Sequence, residues 1–101
     1  MLDAAEQALQ FCAGRRLADL HSDAMLRSAL VHMITVVGEA ASKVTQPTRE
    51  GVPDIAWASI VGMRNRLVHA YFDVDSDILW RTVTERLPPL ATQLRLLLST
   101  S

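Results

Sequence analysis

The sequence is short of several things that common enzyme architectures require. Cys12 is its only cysteine, so no intrachain disulfide can form and a four-cysteine or Cys/His zinc site is excluded. Cys12 therefore reads as a small buried apolar side chain. The four glycines are scattered, which leaves no glycine-rich loop to cradle a phosphate. Charge of one sign is not in excess: the formal net charge is −1. A protein that holds nucleic acid by overall charge is strongly basic, so any phosphate contact here has to come from a local cluster. Apolar runs such as "LRLLL" are far too short to span a bilayer. The N-terminal "MLDAAEQALQ" carries acids and no basic region, unlike a signal peptide. A cytoplasmic protein without membrane contact is the expectation.

What is present is an apolar, helix-forming chain. Half of its 101 residues are hydrophobic, enough for one compact domain over residues 1–101. A domain of that size buries less of its surface than a large one, so self-association would help it. Leu2, Ala5, Leu9 and Cys12 recur at helical spacing and predict a first helix ending near Gly14. "RRLADL" reads as a short basic link, after which Ser22 or Asp23 caps a long second helix. In that helix Leu26, Leu30, Met33, Val37, Ala40 and Val44 form a seam spaced four and three, with Gly38 and Ala41 admitting a close neighbour. "TQPTREGVP" reads as the one substantial loop. Asp54 is expected to cap a third helix that buries Ile55, Ile60 and Val61, with Trp57 beside them. Asp75 or Ser76 is expected to cap a fourth. Pro88 and Pro89 are expected to break or kink the chain before a last helix over "PLATQLRLLL". With no alternating strand pattern, the fold class is all-α, a bundle of four or five helices.

One stretch departs from this plain background. "GMRNRLVHAYFDVD", residues 62–75, gathers Arg64, Asn65, Arg66, His69 and Tyr71. Imidazole, with a pKa of about 6.5, can take a proton from a ribose 2′-OH or return one to a leaving oxygen. Guanidinium binds phosphate through two parallel hydrogen bonds and stabilises charge that builds on it. Asn65 can orient the imidazole or touch the phosphate, and Tyr71 can stack on a base. This chemistry, RNA cleavage, needs no metal and no cofactor. Simpler accounts exist for the other polar residues. Cations suit the negative end of a helix. His32, Glu39 and Lys43 read as a solvated face. His69 and Asp73 could share a helical face and hold a metal, but no third ligand is evident. On an ideal helix over residues 55–69, Asn65 and His69 project within about 40° of each other, whereas Arg64 and His69 lie about 140° apart. Convergence of Arg64 on His69 therefore requires a helix end, or a second subunit, at this point.

"GMRNRLVHAY" resembles the R-N-x-x-x-H-x-Y signature of the HepT-like branch of the HEPN superfamily, the toxin half of HepT/MntA toxin–antitoxin pairs. "VVGEAASKV" resembles the family's "IGEA" stretch, and "VPDIAWASIVGMRNRLVHAYFDVD" followed by "ILWRTVTERLPPL" resembles its second half, so residues 22–95 match in order and spacing. The first 21 residues match only loosely. The resemblance implies an all-helical homodimer acting as a metal-independent endoribonuclease. It places Arg64 and His69 on the catalytic pair, Asn65 on the polar residue beside them, and Arg66 among the RNA contacts. Tyr71 falls on the tyrosine that a partner nucleotidyltransferase antitoxin modifies with AMP. That change would set negative charge and bulk beside His69. The alternative is a non-catalytic helical subunit that binds a nucleotidyltransferase and presents Tyr71.

Overall fold

The computed structural model describes the backbone of residues 1–70 and 73–99 and the side chains of residues 1–65 and 74–99. The all-α expectation holds, with eight α-helices, one π-helical turn and a minimal two-stranded ribbon among the described residues. The central rod is α3 (Ala24–Ser42), against which α1 (Leu2–Cys12), α5 (Trp57–Val61) and α6 (Met63–Leu67) pack. The opposite side of α1 is covered by α8 (Leu87–Ser99), which continues from α7 (Ser76–Arg81) through a π-helical segment, Thr82–Arg86.

Small side chains bring α1 and α3 together. Ala4, Ala5, Ala8 and Cys12 are buried on α1, opposite a buried stripe of Leu26, Leu30, Ile34, Val37, Gly38 and Ala41 on α3. The stripe is the predicted seam shifted by one residue along its middle: Ile34 and Ala41 replace the half-buried Met33 and Ala40. This follows from straight-helix periodicity, which drifts away from a strict seven-residue repeat. By length and composition α3 could cross a membrane, a possibility that counting unbroken apolar runs misses. Its apolar character has an account in packing, since Leu30, Ile34, Val37 and Ala41 are wholly covered by neighbouring elements.

The connections differ most from expectation. Gly14 does end the first helical unit, with φ +75°, a conformation that suits glycine. "RRLADL" is not a link: Leu17–Ser22 forms α2, started by Arg16 N–H donating to Asp19 Oδ2 at 2.7 Å. Arg27 of α3 donates to the carbonyls of Leu20 and His21, at 2.6 and 3.0 Å, and closes the end of that helix. Asp23, the predicted cap, accepts from Leu26 N–H at 3.0 Å. The proline-rich loop contains α4 (Gln46–Gly51), capped by Thr45 and with Pro47 in its first turn. Arg49 reaches back from α4 to the carbonyls of Val44 and Ala41, at 3.1 and 2.9 Å, and Trp57 Nε1 donates to those of Arg49 and Val52. Asp54 does not cap the next helix. The chain turns once more, and α5 begins at Trp57 after Ala56, without a side-chain cap. Ile55 and Ile60 are buried as expected and Trp57 is buried with them, but Val61 is exposed.

Pro88 and Pro89 do not break the final helix. Neither has an N–H, and in an α-helix their rings would press on the carbonyls four residues earlier. The preceding turn widens instead: Leu87 N–H donates to the Thr82 carbonyl, five residues back, and both prolines sit in the first turn of α8. The π turn relieves the clash that was expected to end the helix.

Candidate functional site

The short helix that precedes the polar cluster, α5, is held by α3 at a point of close backbone approach. A Cβ on Gly38 would lie 3.3 Å from the Ile60 carbonyl oxygen and 3.4 Å from that of Val61. Glycine at that position lets the end of α5 press directly on α3. The chain then loosens for one residue at Gly62 and resumes as α6. Met63, only 3% exposed, pins α6 to the core, and Arg64 and Asn65 turn outward into solvent.

α6 ends at Leu67, and Val68–Ala70 continues as a strand, β1, which pairs antiparallel with β2 (Asp73–Val74) in the register Val68 with Val74 and Ala70 with Asp73. The ribbon gave no signal in the sequence because each strand is too short to show alternation. It overturns two expectations. His69 is not on the helix of Asn65, so their 40° relation does not apply, and His69 and Asp73 do not share a helical face. The required helix end is present, two residues before His69. Arg64 and Asn65 are thus neighbours on the exposed side of a five-residue helix, and the backbone of His69 follows on the strand that leaves it. The backbone of Arg66 completes α6. Tyr71 and the side chains of Arg66 and His69 lie outside the described residues. Asp75 closes the segment as predicted, accepting from Ile78 N–H at 3.0 Å to start α7. His32, Glu39 and Lys43 are all exposed, in keeping with a solvated face.

Met63, the residue before Arg64, forms a wall common to two cavities of about 240 and about 270 Å³. Arg86, from the π turn, lines both. Sequence reasoning missed this neighbourhood: "TERLPP" carries no motif, and only the π turn places Glu85 and Arg86 on the cavity wall beside α6. Among the described residues no three His, Cys, Asp or Glu side chains converge as metal ligands.

A family model described as "Ribonuclease HepT-like" matches residues 1–97. Among curated proteins, the chain is 28% identical over 96 residues to "Putative RNase MJ1380" of Methanocaldococcus jannaschii, covering 95% of this chain and 88% of that protein. It is 31% identical over 95 residues to "Putative RNase TTE0752" of Caldanaerobacter subterraneus subsp. tengcongensis, covering 94% and 85%. To "Probable ribonuclease HepT" of Thermococcus cleftensis it is 35% identical over 72 residues, covering 71% and 66%. No solved structure matches significantly.

Proposed function

The chain belongs to the HepT-like ribonuclease family and is an RNase of the HEPN type, and from that premise we propose that it cleaves RNA through Arg64 and His69 as the toxin of a toxin–antitoxin pair. His69 takes the proton of a ribose 2′-OH as that oxygen attacks the adjacent phosphorus. The bond from phosphorus to the 5′ oxygen then breaks, and a proton returns to the leaving oxygen. The products are a 2′,3′-cyclic phosphate and a free 5′-OH. Arg64 stabilises the charge on the non-bridging oxygens, and Asn65 orients the imidazole or the phosphate. Arg66 adds an RNA contact. The two copies of this set face one groove in a homodimer, which offsets the small net charge of a single chain. A partner nucleotidyltransferase silences the site by transferring AMP to Tyr71, placing a phosphate where the RNA phosphate must bind.

The observation that carries the reading is the placement of Arg64 and Asn65 on solvent-facing positions of a helix that ends just before His69. The test is cleavage of a bulk RNA by the unmodified chain with EDTA present, compared with Arg64→Ala and His69→Ala variants that fold as the wild type does. Loss of cleavage in both supports the assignment. An inert wild type favours the non-catalytic partner subunit instead. Mass spectrometry after co-expression with a neighbouring nucleotidyltransferase tests Tyr71: an unmodified tyrosine, or AMP on another residue, contradicts that part of the reading.

A further inference from the structure

The cavity walled by Met63, Glu85 and Arg86 has a composition that bears on its occupant. Its floor is apolar and buried, formed by Ile60, Met63 and Leu90, the half-buried Ser59 and Gln93 add neutral polar groups, and Asp54, Glu85 and Arg86 stand exposed at its rim. Two carboxylates against one guanidinium make the rim net negative, so a phosphate is a poor fit. A neutral, flat, apolar-faced ligand with several N–H donors on one edge is a good one. At about 240 Å³ the space suits a single planar heterocycle with part of its sugar. We propose that this cavity is a nucleobase pocket, and that the base it takes is guanine.

The choice follows from hydrogen-bonding edges. Guanine presents N1–H and N2–H side by side, which one carboxylate accepts together, and it offers O6 and N7 as the acceptor pair that arginine meets with two bonds. Uracil offers a single N–H between two carbonyls and would leave a carboxylate facing oxygen. The π turn that accommodates the prolines carries both Glu85 and Arg86 on the cavity wall; π turns inside helices are frequent at functional sites. Met63 lines the pocket and Arg64, the next residue, faces solvent, so a base in the pocket sets the RNA strand across the outer side of α6.

The inference rests on the ribonuclease reading for its biological substrate, and its test is independent of cleavage. Wild-type protein with labelled methionine methyl groups is titrated with guanosine and with uridine, which carry no phosphate and cannot be cut. The Met63 methyl signal is expected to move with guanosine, at about tenfold or more higher affinity than with uridine, the discrimination one good two-bond base contact provides. The double variant Asp54→Asn with Glu85→Gln, which leaves no carboxylate at the rim, should weaken guanosine about tenfold, and Ala56→Trp, which fills the cavity mouth, should abolish the shift. A still Met63 signal at saturating guanosine, or equal response to uridine, overturns the pocket. Cleavage of oligoribonucleotides carrying guanosine or inosine, which lacks the N2 amino group, then separates the two claims. Cleavage that ignores this difference removes the pocket from the reaction while leaving the ribonuclease intact. Guanosine binding without any cleavage leaves the pocket and removes the ribonuclease.

Discussion

At the scale of single residues the account divides catalytic from structural roles. Arg64 and Asn65 are exposed and bear little on the core, so Arg64→Ala should leave the melting temperature nearly unchanged while cutting kcat/KM by about 10²–10³-fold, the usual cost of losing one preorganised charge stabiliser. Arg64→Lys should recover only part, because an ammonium cannot make the two-bond phosphate contact. Circular dichroism melts alongside initial rates check both. Cys12 behaves oppositely. Burial raises its thiol above the ordinary 9.0, with the Arg15 guanidinium pulling weakly the other way. A raised thiol pKa means that the fold favours the protonated form, so its contribution is intact below the ordinary value and is lost as pH rises through the folded value. Denaturant midpoints of the wild type should therefore fall on the alkaline side, and Cys12→Ala should lack that part of the decline.

At the scale of elements, the site depends on how α5 and α6 are seated. Gly38→Val puts branched carbon atoms against the Ile60 and Val61 carbonyls, which belong to helix backbone and cannot swing aside. It should destabilise the protein by about 1–3 kcal/mol, as overpacking does, and lower activity as well, through displacement of α6. Denaturation curves and rates on the same samples check it. This close approach was legible in the sequence from Gly38 in an apolar helix, as were the caps Asp23 and Asp75 and the break at Gly14, because each is a local rule satisfied by adjacent residues. α2 and α4 were not legible. Each is only six residues long, too short to show a helical period, and each is closed by a side chain from outside it, Arg27 on the Leu20 carbonyl and Trp57 on the Arg49 carbonyl. The π turn was hidden for a related reason: Pro88 and Pro89 announce a clash but not which turn will relieve it. Within the site the residue types could be read in advance, and the helix end before His69 was one of two alternatives, the other being a second subunit. The cavity formed with Glu85 and Arg86 could not, since it joins segments some twenty residues apart.

At the scale of the molecule, a single chain of net charge −1 has a weak field for RNA. Two chains around one groove, as proposed, would let two copies of Arg64 and Arg66 act together. Met25, Leu96 and Leu98 remain strongly exposed on the monomer, at 83, 61 and 60%. Sedimentation should give about twice the 11.2 kDa chain mass, and the melting temperature should rise with protein concentration, as it does when association and folding are linked. The central claim is that this helical domain, through Arg64 and His69, cuts RNA without a metal. The most direct measurement is the rate of RNA cleavage by unmodified protein in excess EDTA, with the His69→Ala variant alongside. The wild type should cleave to 2′,3′-cyclic phosphate ends, and the variant should be slower by about 10²-fold or more. Equal rates in the two proteins, or cleavage that stops when EDTA is added, would contradict it.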